Sequence, residues 1–341
     1  MRILVVKLRH IGDVLMMTPM LRALKDSYPD AGITAVIPRG MEDILSFNPC
    51  VTKVIPFKKG SGIIEDLRLL MTLRAARFDI AINMTEGDRG AIMCFASGAG
   101  KRIGADPLGR GFPGKGKLFT DLVPQKWDRH RALMDMEMIR PLGIEPGGQR
   151  LELHTSREND GRVLDMLAGR GIKDGARIAV VHPTSRWLFK CWNDKSVADV
   201  IDYLHDRGFN VILTSGPDKK ETDKARAVAG LAKRKPVDFS GLLTLGQLAS
   251  LLKRSGLFFG VDSAPMHMAA AVGTPVVALF GPSDYKVWGP YTDKARVIVK
   301  KDEYPCIPCR KDGCGGSKKS DCLEAITVPE VIRAIEEIIE T

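Results

Sequence analysis

One stretch, residues 256–283, has the sequence GLFFGVDSAPMHMAAAVGTPVVALFGPS. It predicts a short buried strand at 257–259 and a second one at 276–280, because brief apolar runs bounded by turn residues are typical of buried strands. Between them, residues 266–272 are predicted to be helical, and Ser263 is placed to cap that helix. A strand, a helix and a second strand in this order indicate a parallel sheet.

Polar residues follow the first of these two strands directly. Asp262, Ser263 and His267 are therefore expected at the edge of the sheet where ligands of open α/β proteins bind. The helix that begins there has free N–H groups that favour an anion, so the stretch predicts a diphosphate site with Asp262 beside it. For His267, packing inside the helix is an equally good interpretation.

The same alternation of strands and helices occurs twice. It begins at residue 1, pauses at an exposed linker over 142–149, and restarts with a strand at 177–182. We therefore expect an α/β fold of two doubly wound domains that face each other across a cleft. Their predicted ranges are 1–150 and 151–328, with a C-terminal helix at 329–341. Residues 85–125, rich in glycine and arginine, interrupt the pattern and are expected to include loops.

The charge of the chain is unevenly distributed. The net charge is +10, and residues 1–150 hold 23 Lys and Arg against 16 Asp and Glu. Such an excess favours an acidic partner, which can be a nucleic acid, an anionic membrane surface or a phosphorylated substrate; a solvated basic face is an equally good interpretation. No apolar run reaches the ~20 residues of a membrane span, and the start does not read as a signal peptide, so we expect a cytoplasmic protein.

Four of the seven cysteines lie close together near the C-terminus, at Cys306, Cys309, Cys314 and Cys322. In a cytoplasmic chain such a cluster suggests a metal before it suggests disulfides. A structural zinc site is possible, although the spacing is not that of two C-x2-C pairs, and reduced thiols are the favoured alternative.

Asp13 follows the first strand and is a candidate general base, because a carboxylate at that edge can face a cleft. The alternative, that Asp13 only caps the next helix, has equal weight. Lys7 and Arg9 nearby can bind an acidic substrate, although exposed basic residues usually only solvate the surface.

The second half carries two further groups of candidate residues. Thr184, Ser185 and Lys190 follow the strand at 177–182 and offer the short donors and the mobile cation of a phosphate site; a helix-capping loop with a surface lysine is the alternative. Glu221 stands at another strand-to-helix junction, where a carboxylate can accept ribose hydroxyls; the alternative is an ordinary acidic residue in the first turn of a helix. Neither G-x-G-x-x-G after the first strand nor a Walker lysine motif is present, which weakens dehydrogenase and NTPase interpretations.

Four stretches of the chain together resemble the ADP-heptose:lipopolysaccharide heptosyltransferases, glycosyltransferase family 9. They are MRILVVKLRHIGDVLMMTPMLRALK, RIGADPLGRGF, HPTSRWLFKCW and FFGVDSAPMHMAAAVGTPVVALFGPSD. The segment CIPCRKDGCGGSKKSDCLEAI is similar to the type III branch, which adds a side heptose to the inner core. The resemblance covers nearly the whole chain.

This resemblance implies a GT-B fold with an N-terminal acceptor domain and a C-terminal donor domain. It also implies inverting, metal-independent transfer of heptose from ADP-heptose to the lipopolysaccharide core, without a cofactor, at the inner membrane surface. The residues implied are Asp13 as base, Lys190 with Thr184 and Ser185 on the diphosphate, Glu221 on the ribose, Asp262 near the donor heptose, Ser263, Ala264 and His267 around the phosphates, and Lys7, Arg9, Arg102 and Arg110 for the acceptor.

Two other functions remain open at this stage. A nucleotide-sugar epimerase of GT-B type, or a transferase with another donor, would use the same second half. A nucleic-acid-binding protein would use the basic region, but the chain lacks basic residues interleaved with aromatic ones and any recognised binding motif, so no nucleic acid is expected.

Overall fold

Each half of the chain folds around its own parallel sheet. The computed structural model describes residues 1–106, 108–125 and 127–340. It divides into one unit of Met1–His154 and a second unit of Thr155–Thr341. The division lies four residues beyond the predicted boundary, the C-terminal helix lies in the second unit, and Thr341, the end of the predicted range 329–341, lies outside the described residues.

The first unit contains a six-stranded sheet in the order β3-β2-β1-β4-β5-β6, and neighbouring strands are parallel. Its strands are β1 (Arg2–Val6), β2 (Gly32–Pro38), β3 (Lys53–Phe57), β4 (Ile80–Asn83), β5 (Lys101–Ala105) and β6 (Asp121–Val123). Its helices are α1 (Ile11–Met16), α2 (Thr18–Ser27), α3 (Ile63–Ala75), α4 (Asp88–Ala96) and α5 (Arg131–Met136), with 3₁₀ turns at Glu42–Ile44, Lys115–Leu118 and Glu137–Leu142.

The second unit repeats this topology, with the order β9-β8-β7-β10-β11-β12. Its strands are β7 (Ile178–His182), β8 (Asn210–Leu213), β9 (Val237–Asp238), β10 (Leu257–Val261), β11 (Val276–Phe280) and β12 (Ala295–Val299). Its helices are α6 (Arg157–Ala168), α7 (Asp194–Asp206), α8 (Lys219–Leu231), α9 (Leu245–Lys253), α10 (Ala264–Val272), α11 (Tyr285–Trp288), α12 (Asp321–Glu324) and α13 (Val328–Ile339), with 3₁₀ turns at Leu188–Lys190 and Cys314–Gly316.

Burial on both faces explains why β10 and β11 are continuous apolar runs. All five residues of each strand are buried, as expected where helices cover both faces of a parallel sheet. Gly260 in β10 has no room for a side chain, because a Cβ there would come within 2.7 Å of the His182 carbonyl oxygen. The two strands predicted from the opening stretch are confirmed.

In both sheets the strand order reverses beside the first strand of the unit. The reversal lies between β1 and β4 in the first unit and between β7 and β10 in the second. At such a point the connections leave to opposite sides, and a crevice opens beyond the carboxyl ends of the two strands. The topology therefore singles out one edge in each unit for a site.

The stretch 85–125 is more regular than expected, since it contains α4, β5 and β6. Two of its glycines allow close packing where loops were predicted. A Cβ at Gly90 in α4 would come within 2.1 Å of the Asn83 side chain, and one at Gly104 in β5 within 2.6 Å of the Phe119 ring. The two-residue strand β9 was also not predicted. Among the described helices, none has the length and apolar character needed to cross a membrane.

Candidate active site

An ion pair joins the loops that follow β7 and β10. Lys190 Nζ lies 2.6 Å from Asp262 Oδ2, and the side chains are only 18 % and 10 % exposed. Asp262 follows β10 directly, whereas Lys190 ends the 3₁₀ turn in the loop after β7. The pair therefore spans the edge at which the strand order of the second unit reverses.

Two contacts hold the loop that carries Lys190. The ammonium of Lys190 lies 5.1 Å from the centre of the Trp187 ring. The Ser320 hydroxyl donates a hydrogen bond to the Phe189 carbonyl oxygen at 2.6 Å. Of the bulky residues before Lys190, Trp187 thus contacts the ammonium, and a cation against an aromatic face is favourably placed.

The N-terminus of α10 lies directly after Asp262. Ser263 occupies the N-cap position, but its side chain makes no capping hydrogen bond, so the predicted cap is wrong in that respect. Among the described residues the buried Ser263 hydroxyl has no hydrogen-bond partner. Ala264 begins the helix, and His267 is buried one turn further on. A free hydroxyl and free backbone N–H groups at a helix start suit an anion.

A chain of hydrogen bonds connects the ends of β7 and β8 to α8. Thr214 Oγ1 lies 2.9 Å from His182 Nδ1, and His182 Nε2 lies 3.3 Å from Thr184 Oγ1. Thr184 Oγ1 in turn donates to Glu221 Oε2 at 2.9 Å. Ser185, the next residue of the loop, is also buried. The chain ends on the Glu221 carboxylate, for which a role at a ribose stays a prediction.

The direction of each proton in this chain follows from its ends. A carboxylate only accepts, so Thr184 gives its single proton to Glu221 and must accept from His182. Burial lowers the pKa of His182 to about 3, so the ring is neutral, with its proton on Nε2. Its Nδ1 then accepts from Thr214. The result is a directed chain that fixes the orientation of Glu221.

Glu221 is further constrained by the backbone that faces it. A Cβ at Gly216 would come within 2.7 Å of Glu221 Oε1, so glycine allows the carboxylate to lie against the turn after β8. Glu221 itself lies in the first turn of α8. One of its oxygens is therefore held by Thr184, and the other lies beside the turn.

In the first unit, α1 begins at Ile11, so the helix starts before Asp13 and His10 is its N-cap residue. Asp13 is consequently inside the first turn, where its Oδ2 accepts the backbone N–H of His10 at 3.3 Å. Asp13 thus contributes to capping from within the helix and remains partly exposed at the carboxyl edge of β1. Its role as a base stays a prediction.

Lys7, at the end of β1, lies in the core with its side chain fully buried. Its ammonium contacts both oxygens of Asp135, at 2.8 and 3.0 Å, and Arg131 contacts the same carboxylate at 2.8 Å. Burial lowers the pKa of Lys7, while the Asp135 carboxylate opposes that shift. Lys7 is therefore placed to hold β1 against α5, and it has no exposed surface with which to meet an acceptor.

The other basic candidates of the first unit differ in their surroundings. Arg9 is exposed and lies 2.9 Å from Glu86. Arg102 donates to the carbonyl oxygens of Leu118 and Ala99. Arg110 is exposed in the loop after β5. Arg9 and Arg110 thus present charge to solvent, whereas much of Arg102 is engaged within its own unit.

The structure does not support the possible zinc site. Cys306 is exposed, Cys309 and Cys314 are half-buried, Cys322 is buried, and all four are free thiols. Burial, and then the neighbouring thiols, raise the pKa of Cys322 to about 11, which keeps that thiol protonated. Among the described residues, no group of three or more His, Cys, Asp and Glu side chains is arranged to hold a metal ion.

Sequence reasoning missed His182 and Thr214 as members of the site, and Asp135 and Arg131 as partners of Lys7. A signal existed for the first pair, because both residues stand where neighbouring parallel strands end. For Asp135 there was none, because 128 residues separate it from Lys7.

Comparison with known proteins agrees with this fold. The profile of glycosyltransferase family 9 (heptosyltransferase) matches residues 67–319. The chain is 31% identical over 338 residues to lipopolysaccharide heptosyltransferase 3 of Escherichia coli, covering 97% of each chain. It is 26% identical to a family 9 glycosyltransferase of known structure from Veillonella parvula, with a TM-score of 0.86 and coverage of 99% of this chain and 97% of that one.

The fold has a second match in the structure of E. coli ADP-heptose heptosyltransferase II. The TM-score is 0.81 at 22% identity, over 100% of this chain and 99% of that one. With the two doubly wound parallel sheets, this likeness confirms the expected GT-B fold. The matches across most of its length show that the chain is a glycosyltransferase and belongs to family 9, the heptosyltransferases.

Proposed function

We propose that this protein transfers heptose from ADP-heptose to the inner core of lipopolysaccharide with inversion at the anomeric carbon. The observation that carries the proposal is the Lys190–Asp262 pair beside the N-terminus of α10, at the reversal of strand order. Support for the substrates comes from the similarity to E. coli lipopolysaccharide heptosyltransferase 3.

In the proposed donor site, the adenosine diphosphate lies across the carboxyl ends of β7, β8 and β10. Glu221, oriented by Thr184, accepts the ribose hydroxyls. The diphosphate is bound by Lys190, Thr184 and Ser185. The N-terminus of α10, where Ser263, Ala264 and His267 lie, binds it as well. Asp262 borders the donor sugar.

The reaction itself is a single displacement. The acceptor hydroxyl oxygen attacks the anomeric carbon of heptose from the face opposite the diphosphate, and Asp13 takes the hydroxyl proton. The bond from the anomeric carbon to the phosphate oxygen breaks, and its electron pair leaves with ADP. Lys190 and the α10 N–H groups stabilise the charge that develops on that oxygen. No step is assigned to a metal ion or a cofactor.

The proposed acceptor surface belongs to the first unit, whose excess of positive charge suits a core that carries phosphates and carboxylates. Arg9 and Arg110 present their charges to solvent and would meet the acceptor directly. Arg102, which is engaged with Leu118 and Ala99, would add positive charge to the unit, and Lys7 would act indirectly by holding β1. We place the reaction at the cytoplasmic face of the inner membrane, where a lipid-anchored acceptor is met.

Release of ADP tests this function. Purified protein is incubated with ADP-heptose, with and without a truncated lipopolysaccharide core, and the released ADP and the products are measured. Release that requires the core and yields a heptosylated product supports the proposal. Conversion of the donor in the absence of any core would instead indicate an epimerase, and ADP binding without release would point to a different donor sugar.

A further inference from the structure

Helix α3 carries apolar side chains on the side that faces away from the protein. Ile63, Ile64, Leu67 and Met71 form a stripe along it, and each is between 53 and 79% exposed. Residues three and four apart share one face of a helix, so these four side chains lie in line. A surface helix normally has polar residues on its outer face, and an exposed apolar stripe of this length marks an interaction site.

The inner face of α3 packs against the core of the first unit. Leu73 is fully buried, and Leu69 and Leu70 pack against a cluster that includes residues of β1, β4 and α4. The exposed stripe is therefore additional to the residues that attach the helix to its sheet. It has no role in holding the first unit together.

The adjacent helix α4 carries two further exposed apolar residues, and the Arg102 guanidinium lies 5.8 Å from the ring centre of one of them, Phe95. Its Ala91 and Cys94 belong to the same core cluster, so both helices cover the same side of the sheet. Ile92 and Phe95 of α4 are 41 and 55% exposed and point away from that core. We call the six exposed residues of the two helices the apolar face: Ile63, Ile64, Leu67, Met71, Ile92 and Phe95.

Basic residues border the apolar face. Lys58 and Lys59 precede α3, Arg74 and Arg77 lie at its C-terminal end, and Arg89 lies in the first turn of α4. All five are exposed, and none has an acidic partner within the described part of the chain. The acids of the two helices lie in their first turns, where Glu65 pairs with Arg68 and Asp88 with Lys115. Asp79, just before β4, accepts the backbone N–H of Arg2.

An open cavity lies at the C-terminal end of α3, within this basic border. It is lined by Arg74, Arg77, Phe78, Asp79, Ser97 and Gly98. The two guanidinium groups are the donors that a phosphate takes. The buried Ser97 hydroxyl donates to the Cys94 carbonyl oxygen, and the Asp79 carboxylate accepts the backbone N–H of Arg2. The surface thus combines an apolar centre with positive charge at its edges.

We propose that the apolar face docks on an anionic phospholipid membrane. Apolar side chains would enter the boundary between headgroups and acyl chains, while the bordering lysines and arginines would contact headgroup phosphates. A second copy of the chain is a poorer occupant, because a symmetric contact would bring the same unpaired cations opposite one another. The inference deepens the proposed function, which requires a lipid-anchored acceptor, by naming the surface that meets the lipid.

The test is co-sedimentation with vesicles of phosphatidylcholine alone and of an equal mixture with phosphatidylglycerol. We expect the wild type to bind the mixed vesicles, and the double variant Ile64→Ser, Met71→Ser to bind them about tenfold or more weakly. The matched control is Leu231→Ser, Leu242→Ser, which removes two exposed leucines from the second unit. The variant Lys58→Glu, Lys59→Glu should bind the mixed vesicles more weakly than the wild type. Its binding to vesicles of phosphatidylcholine alone should equal that of the wild type.

Two further measurements separate the possible failures. If the double variant binds vesicles as the wild type does, or the control loses as much, the proposal is wrong. A wild type that sediments as a dimer without vesicles, with a monomeric double variant, would assign the face to self-association and overturn the proposal. Transfer to a deacylated, water-soluble core should be equal in wild type and double variant, and its absence in the wild type would refute the proposed function instead.

Discussion

Lys190 Nζ and Asp262 Oδ2 lie 2.6 Å apart, and this contact joins the loops after the first and fourth strands of the second sheet. The two side chains come from opposite sides of the point where the strand order reverses. A cation is thereby held at the start of α10, where helix geometry also favours negative charge. The Lys190 ammonium and the N–H groups at the start of α10 therefore lie at the same edge of the second sheet.

Substitution Lys190→Met should lower kcat for ADP release by roughly 10²–10³-fold, because the charge on the leaving diphosphate would lose its main cation. Lys190→Arg should restore part of the rate. The control is Lys195→Met, an exposed lysine of α7 that pairs with Asp199. If Lys190→Met and Lys195→Met have the same kcat, Lys190 has only a structural role.

Substitution Asp13→Asn should lower kcat by roughly 10²–10⁴-fold, as expected for loss of a general base. An asparagine oxygen can still accept the His10 backbone N–H, so α1 should stay capped. ADP affinity, measured by calorimetry, should not change, because the proposed ADP site lies in the second unit. Asp26→Asn is the control, and a normal kcat for Asp13→Asn would leave Asp13 with capping alone.

Substitution Glu221→Gln should weaken ADP binding about tenfold, since hydrogen bonds to a charged acceptor are worth roughly 1.5–3 kcal/mol. The loss should be smaller with 2′-deoxy-ADP, because that ligand lacks one of the hydroxyls involved. Asp223→Asn, on the exposed side of the same helix, is the control. Equal losses for ADP and 2′-deoxy-ADP would place Glu221 away from the ribose 2′-hydroxyl.

The burial of His182 should make stability depend on pH. Its pKa in the native protein is about 3, below the ordinary value of 6.5. Between these two pH values the histidine is protonated in the unfolded chain and neutral in the native protein. The free energy of unfolding should therefore be unaffected above about pH 6.5 and fall as pH drops towards 3, by at most ~1.4 kcal/mol per pH unit.

The measurement is urea unfolding at several pH values for the wild type and His182→Asn, which should lose this part of the pH dependence. Thr214→Val is the control, since it removes a hydrogen bond to the ring and keeps the histidine. An unchanged slope in His182→Asn would contradict the neutral, buried ring.

Substitution Asp135→Ala should destabilise the first unit by about 3–5 kcal/mol, because it leaves two buried cations without their carboxylate. Lys7→Met should cost less, since Arg131 still pairs with Asp135. Denaturant unfolding measures both. Glu145→Ala, which removes an exposed partner of Arg140, should change stability by less than about 1 kcal/mol. Equal losses of stability in Asp135→Ala and Glu145→Ala would show that the buried Asp135 carboxylate does not stabilise Lys7 and Arg131 more than an exposed ion pair would.

Much of the fold could be predicted because the apolar patterns are local. Buried strands such as β10 and β11 are continuous apolar runs, and their alternation with helices indicates parallel sheets. The prediction failed where local signals point the wrong way. Gly90 and Gly104 suggest loops, but they serve contacts with Asn83 and Phe119 that lie elsewhere in the chain.

The site divides in the same way. Neighbouring residues are enough to show that Asp13, Thr184, Lys190 and Asp262 follow strands, because strand ends can be recognised locally. Which side chains meet follows only from the folded chain: Lys190 pairs with Asp262 across 72 residues, and Lys7 with Asp135 across 128. Burial and the choice of partner depend on packing between distant segments of the chain. This packing leaves Lys190 at the candidate site and places Lys7 in the core of the first unit.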